Sequence, residues 1–138
     1  MNTKNIFITL ILALGLTNVS VAQFTSIASA VTDINVILAS AESTSIFEIN
    51  DKGFAKKIDT EHSDVYYEFN LNNVEMIQHE QQFNNHVIKF ICASGKKCFY
   101  CEKNEGEGIM HFLAVDSEGN AKKIISAFKY IKQQTSVF

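Results

Sequence analysis

The first stretch of regular hydrophobic spacing begins at Phe24 and ends at Ala41. Its apolar residues recur every three or four positions and fall on one stripe, with most of the serines outside it. The pattern predicts an N-terminal helix within residues 23–43, while the many β-branched residues leave a strand over residues 34–39 as the alternative. The stripe consists of Phe24, Ile27, Val31, Ile34, Leu38 and Ala41.

From Thr44 onward the apolar residues alternate with polar ones, which is typical of strands with one buried face. Residues 46–49 and 54–58 flank the sequence Asn-Asp-Lys-Gly at residues 50–53. The glycine can adopt the positive φ that a tight turn requires, so a β-hairpin is predicted here.

Four further segments have strand patterns. Residues 65–71 alternate most regularly, and the segment Val74–Phe83 is long and polar, which indicates a strand at the edge of a sheet. Residues 86–93 and 97–103 are expected to form another hairpin, with Gly95 at its centre.

The chain returns to helical spacing near its end. Residues 105–108 are acidic and glycine-rich, which predicts a loop, and residues 109–115 form a last apolar strand. Ser117 is a favourable N-cap residue for a C-terminal amphipathic helix. Six or seven strands closed by this helix indicate an α+β fold, an antiparallel β-sandwich or open barrel in one domain, residues 44–138. The apolar stripe of the helix is Ala121, Ile124, Ile125, Phe128 and Ile131.

Two segments carry a resemblance to a known family. Residues 67–74 (Tyr-Glu-Phe-Asn-Leu-Asn-Asn-Val) form a strand that enters the next strand through a short turn, and residues 127–131 (Ala-Phe-Lys-Tyr-Ile) lie in the closing helix. Together they resemble a pleckstrin-homology-like (GRAM-type) domain of a small secreted bacterial protein. The resemblance implies an interaction scaffold. Phosphoinositide binding is not expected, because the first hairpin lacks Arg and has Asp51 and Asp59 beside its lysines.

The start of the chain has the features of a secretory signal peptide. Lys4 supplies a positive charge, residues 6–16 form an apolar core, and small residues stand three and one positions before a cut between Ala22 and Gln23. We therefore expect residues 1–22 to be removed on export to the periplasm or the extracellular space; an amphipathic helix is the alternative. The apolar core is short for a bilayer, and no transmembrane segment is expected in the mature chain.

Charge and composition exclude some functional classes. The 12 basic residues are all Lys, and removal of the signal peptide leaves 11 of them against 15 acidic residues, a net charge of −4. Nucleic-acid binding is not expected, because Arg makes the bidentate contacts to phosphate and guanine that specific readers use. A hydrophobic content of 46% and an aromatic content of 11% indicate a folded domain.

The three cysteines are Cys92, Cys98 and Cys101. In an exported protein pairing is expected, and a hairpin centred on Gly95 would place Cys92 opposite Cys98. We therefore predict a Cys92–Cys98 disulfide and a free thiol at Cys101, either buried or used between molecules. The other opposed pairs of this hairpin would be Phe90 with Tyr100, Ile88 with Glu102 and Lys89 with Cys101.

Cys98 and Cys101 also form a C-x-x-C pair, so a periplasmic thiol-redox or zinc-binding protein is the alternative. Redox chemistry needs the first thiolate at a helix N-terminus, whereas this motif lies in an extended segment of a chain without Pro. A zinc site would need Cys92 and His111 as further ligands, and the spacing lacks the usual two short pairs. No catalytic residue, metal or cofactor is therefore expected.

The leading prediction is an exported, non-enzymatic binding or interaction domain for an unknown protein or small ligand. The four histidines are scattered, and the chain has neither a glycine-rich phosphate loop nor a serine elbow motif. The polar segment Val74–Phe83 is the place where a partner strand is expected to add to the sheet.

Overall fold

The computed structural model describes residues 24–64, 66–103 and 106–136. The predicted signal peptide and its cleavage site at Ala22 and Gln23 fall outside these ranges. The described part of the chain is α+β, with an N-terminal helix, a C-terminal helix and two antiparallel sheets of five and three strands. Neither of these helices combines the length and the apolar character needed to cross a membrane.

Helix α1 spans Ile27–Ser40, so the predicted N-terminal helix is confirmed and the strand alternative is wrong. Ser26 and Ser29 form a capping box, in which the side chain of each accepts a hydrogen bond from the backbone N–H of the other. The helix packs against β1 and the C-terminal helix. Its fully buried residues are Ala30, Ile34 and Leu38.

Eight strands follow this helix in the part of the chain that the structure describes, one or two more than the pattern predicts. β6 and β7 are only three residues long each. β7 forms at residues 106–108, where the Gly-Glu-Gly sequence predicts a loop, because backbone hydrogen bonds with β6 do not require alternating apolar residues. The strands are β1 Ser45–Ile49, β2 Phe54–Asp59, β3 Tyr66–Asn70, β4 Val74–Gln82, β5 Asn85–Cys92, β6 Phe99–Cys101, β7 Gly106–Gly108 and β8 Met110–Val115.

The strands form two separate sheets that do not close into a barrel. The larger sheet has the order β1-β2-β3-β6-β7, and the smaller has the order β4-β5-β8, with antiparallel pairing throughout. The first three strands form a meander, after which the chain enters the smaller sheet, returns to the larger one and comes back for β8. The prediction that the segment beginning at Val74 is an edge strand is confirmed by the position of β4.

The hairpin between β1 and β2 forms where the sequence predicts it. Gly53 has a φ of +82°, and the side-chain Oδ1 of Asn50 accepts hydrogen bonds from the backbone N–H groups of Lys52 and Phe54. A Cβ atom at residue 53 would lie 3.0 Å from Oγ1 of Thr135. Glycine is therefore required here by both the turn and the close approach of the C-terminal helix.

Helix α2 spans Glu118–Thr135 and begins at the predicted cap, Ser117, whose hydroxyl accepts a hydrogen bond from a backbone N–H of the first turn. The ring of Phe128 meets Phe47 of β1 and Phe90 of β5 edge-on, each with a centroid distance of 5.1 Å. The helix thus joins the inner faces of both sheets. Its buried residues are Ala121, Ile124, Ala127, Phe128, Ile131 and Thr135.

The predicted hairpin around Gly95 is wrong. β5 pairs with β4 and β8, while β6 pairs with β3 and β7, and residues 93–95 form a 3-10 turn in which Ser94 and Gly95 have positive φ. Alternation assigns side chains to the faces of a strand and does not identify the neighbouring strand. The expected pairs are therefore replaced: Phe90 faces His111, Ile88 faces Leu113, Lys89 faces Phe112, Tyr100 faces Glu68 and Cys101 faces Tyr67.

Candidate functional site

The sulfur atoms of Cys92 and Cys98 lie 2.03 Å apart, which is disulfide distance. Cys92 is the last residue of β5 and Cys98 immediately precedes β6, so the pair connects the two sheets. The chain brings the two residues together through the turn over residues 93–95 and not through the predicted hairpin. Cys101 is a free, buried cysteine.

The structure pairs one of the two cysteines on which the redox alternative depends with a third cysteine. Cys98 lies against Cys92, so it does not form a dithiol with Cys101. Within the described ranges, no three side chains of His, Cys, Asp or Glu are grouped in a way that could hold a metal ion. His111, the fourth ligand of the zinc alternative, contacts Lys57 instead.

Four polar side chains from both sheets meet between the sheets, and we call them the inter-sheet cluster. Lys57 of β2 faces Tyr67 of β3, which in turn faces Cys101 of β6, so these three side chains share one face of the larger sheet. This is the inner face, because the residues two positions away along these strands belong to the hydrophobic core. The fourth member, His111 of β8, reaches the row from the smaller sheet.

The closest polar contact of the cluster joins Nζ of Lys57 to Nε2 of His111 at 2.9 Å. Burial, and then the charge of Lys57, lowers the pKa of His111 to about 3, so the imidazole is neutral at neutral pH. Burial also lowers the pKa of Lys57, partly opposed by the negative charge of Asp59. A neutral imidazole accepts a hydrogen bond from the ammonium only in the tautomer that carries its proton on Nδ1.

Aromatic rings surround this pair. The His111 ring lies 4.4 Å from the Tyr67 ring and 5.6 Å from the Phe99 ring, measured between centroids, and Nζ of Lys57 lies 5.3 Å from the Tyr67 centroid. Burial, and then the charge of Cys101 and a hydrogen bond with it, raises the pKa of Tyr67. The cluster is therefore a largely apolar environment with an amine at its centre.

An open groove of about 490 Å³ lies beside Lys57. Its walls are residues 41–45, which lead from α1 into β1, and residues 112–116, the end of β8 and the residue after it; they include Glu42 and Asp116. Sequence reasoning placed His111 among apolar residues but assigned no role to Lys57. The sequence does contain one indication of this role: Lys57 follows Ala55 by two residues, so the two side chains lie on the same, buried face of β2.

Two other histidines form a pair at the start of α2. Nε2 of His79 lies 3.0 Å from Nδ1 of His86, with the rings stacked. The pKa of Glu118 is lowered mainly by its hydrogen bond and ion pair with Lys122, and less by these two histidines. The pair is a polar contact between β4 and β5 near a helix terminus.

Phe83 stands at the tip of the β4–β5 hairpin, where sequence reasoning treated it only as the end of a strand. Its side chain is 97% exposed, and its φ is +54°, a left-handed conformation that is rare for residues with a bulky side chain. The sequence indicates this exposure, because Phe83 is a single aromatic residue between two glutamines and two asparagines. The hairpin therefore presents an aromatic side chain directly to solvent, next to the free edge of β4.

The chain matches no protein-family model, no curated protein and no solved structure.

Proposed function

We propose that the mature chain is an exported, non-enzymatic binding domain that engages a protein partner through the β4–β5 hairpin. The observation that carries this proposal is Phe83, which is 97% exposed and has a φ of +54° at the hairpin tip. The expectation of an interaction scaffold from the pleckstrin-homology-like resemblance supports the same function.

Phe83 brings the free protein one steric cost and leaves one source of stabilisation unused. A left-handed conformation costs a residue with a Cβ about 1–2 kcal/mol relative to the right-handed one. A phenylalanine left in water also forgoes the roughly 1.5–3 kcal/mol that burial of its side chain would contribute. At 97% exposure no contact within the described chain offsets the steric cost, whereas insertion of the ring into a partner's pocket would offset it and would also bury the ring.

The edge of β4 is the second part of the proposed surface. Among the described residues, β4 pairs with another strand only on its β5 side, and a side chain of α2, Lys132, bonds its backbone at the first residue, Val74. A partner strand could therefore add to the opposite side of β4 beyond Val74. β1, one of the two edge strands of the larger sheet, differs in that Asn35 of α1 bonds both the N–H and the C=O of Phe47 at the middle of the strand. A partner that adds to β4 in register would bring its own residues close to Phe83.

The proposed location outside the cytoplasm rests on the predicted signal peptide and on Cys92 and Cys98 at disulfide distance. Disulfides persist in the periplasm and outside the cell, whereas cytosolic thiols are kept reduced. Both features support an exported protein.

The decisive experiment places a photo-cross-linking phenylalanine analogue in the mature protein at position 83 or, as a control, at position 54. Phe54 is also exposed, at 57%, but it belongs to the larger sheet. We expect a discrete protein adduct from the native cell envelope at position 83 only. Equal adducts at both positions, or none at position 83, would overturn the proposal.

A pair of variants tests the same surface without a cross-linker. Phe83→Ser should abolish recovery of the cross-linked partner in a pull-down, whereas Phe112→Ser should leave it unchanged, since Phe112 is exposed on β8 away from the hairpin tip. Recovery that survives Phe83→Ser contradicts the proposal.

Thiol and zinc measurements separate this function from the redox or zinc-binding alternative. The proposal expects one free thiol in the denatured, unreduced mature protein and no stoichiometric zinc, because Cys92 and Cys98 are paired. A readily reduced Cys98–Cys101 bond, or one zinc ion per chain, would favour the alternative instead.

A further inference from the structure

Lys57 is placed where the inter-sheet cluster opens into the groove lined by residues 41–45 and 112–116. Within the described chain, no carboxylate forms an ion pair with its ammonium group. Asp59, the acid on the same face of β2, instead accepts hydrogen bonds from the backbone N–H groups of Glu61 and His62. The polar partner of Lys57 is thus the uncharged ring of His111.

This environment favours the neutral form of the amine. Lys57 is partly buried between the sheets, and the solvation that it loses there disfavours its ammonium form more than Asp59 favours it. The neutral amine is a nucleophile, and desolvation is one of the ways in which proteins activate lysine for attack on carbonyl carbon. Lys57 therefore differs from Lys52, which is exposed in the β1–β2 turn.

The groove restricts the chemistry of a ligand that reaches the amine. Its volume, about 490 Å³, falls in the range of small-molecule sites. Its lining residues include two acids, Glu42 and Asp116, whose negative charge disfavours an anion such as a phosphate or a carboxylate. A small uncharged molecule with an electrophilic carbon is the ligand class that fits both the groove and the amine.

We propose that Lys57 is a reversible covalent binding site for small neutral aldehydes or ketones, which enter through this groove and form an imine with Nζ. The nitrogen lone pair forms a bond to the carbonyl carbon as the C–O π bond breaks. The two amine protons and the carbonyl oxygen then leave as one water molecule, so that amine and carbonyl give imine and water with no redox change. The site is independent of the proposed hairpin surface.

The charged and titratable groups around Nζ come from several elements. His111 of β8 and Tyr67 of β3 contact or approach it, and Cys101 of β6 lies beyond Tyr67. Asp59 of β2 acts on it electrostatically and opposes the effect of burial. Glu42 and Asp116 face the groove.

The test uses the unmodified mature protein, with propanal as the probe and cyanoborohydride to trap the imine. Mass spectrometry of peptides then gives the rate of adduct formation at each lysine, normalised to the same lysine in the denatured chain. We expect Lys57 to react several-fold faster than Lys52 at neutral pH, because a lowered pKa gives it a larger fraction of neutral amine. A lysine that only fills space in the core would react more slowly than Lys52, and that result would overturn the proposal.

The pH profile supplies a second readout that protection by burial does not produce. The rate at Lys57 should reach half of its maximum at lower pH than the rate at Lys52, because the neutral fraction of the amine limits the reaction. Lys56 is the matched neighbour: it lies on the opposite face of β2, with Nζ 3.8 Å from the Tyr66 ring centroid, and should react no faster than Lys52 at neutral pH. Coincident profiles at all three lysines would contradict the proposal.

Discussion

The side chain of Asn35 in α1 forms two hydrogen bonds with the backbone of Phe47 in β1. Its Nδ2 donates to the Phe47 carbonyl at 2.9 Å, and its Oδ1 accepts from the Phe47 N–H at 2.8 Å. The amide therefore acts as one residue of an additional strand at the edge of the larger sheet. Because the Phe47 side chain packs on Phe128, the contact also ties the helix to the core.

We expect Asn35→Ala to lower the free energy of unfolding by about 1–3 kcal/mol, because it leaves the N–H and C=O of a residue at a buried edge without partners. Urea denaturation of the mature protein measures this. Asp33→Ala is the control, since Asp33 is exposed on the same helix and should change stability by only a few tenths of a kcal/mol. Equal effects of the two variants would show that the contact contributes little.

Reductant is expected to lower the free energy of unfolding by about 2 kcal/mol, because the Cys92–Cys98 bond closes a short loop and constrains the unfolded chain. Urea denaturation with and without reductant measures the change. The Cys92→Ala, Cys98→Ala double variant keeps only Cys101 and should show no response to reductant. A response of similar size in the double variant would exclude the disulfide as its source.

Stability is expected to fall as the pH is lowered from about 6.5 towards 3, because His111 is neutral in the folded protein and protonated in the unfolded chain. Its folded pKa lies below the ordinary value, so its contribution is complete above about pH 6.5 and is lost as the unfolded chain takes up the proton. The slope from this one residue approaches about 1.4 kcal/mol per pH unit. Urea denaturation at a series of pH values measures it.

The control for this prediction is a pair of histidine variants. His111→Gln should remove most of the slope, whereas His62→Gln should leave it, since His62 is exposed in the β2–β3 connection. Asp59 and Glu118 have lowered pKa values and lose their own contributions only below about pH 4.5, so measurements above that pH isolate His111. An unchanged slope in His111→Gln would assign the effect to other groups.

Phe83→Gly is expected to stabilise the mature protein by about 0.5–1 kcal/mol, because glycine adopts positive φ without the steric cost that a Cβ brings. The matched control is Phe54→Gly, which should destabilise it, since residue 54 begins β2 and pairs with Asn70. Thermal unfolding of both variants shows directly whether each substitution raises or lowers the stability of the protein. Destabilisation by Phe83→Gly would mean that the ring makes contacts that stabilise the hairpin.

The pattern of the sequence was a reliable guide wherever one element carried its own signal. The stripe of apolar residues in α1, the cap at Ser117 and the glycine of the first turn all lie where local chemistry predicts them. These features depend on residues close together in sequence. The interactions that stabilise each of them lie within one turn of a helix or one hairpin.

The polar edge position of β4 was also predictable, whereas the partners of β5 and β6 were not. A strand with one apolar face can pair with any strand of matching face, so its neighbour depends on where the rest of the core lies. The prediction that Cys92 lies opposite Cys98 thus relied on a hairpin that does not form, although the two sulfur atoms do meet.

By itself, the sequence determined the two helices, the antiparallel class of the sheets, the first turn and the edge strand, because each of these follows from local spacing, capping or turn residues. Only the tertiary structure decided that Lys57 meets His111, 54 residues away, and that Phe83 remains outside the core. The physical reason is that both depend on how two sheets stack. The pKa of a buried group and the exposure of a hairpin tip are properties of the surroundings that the whole chain builds.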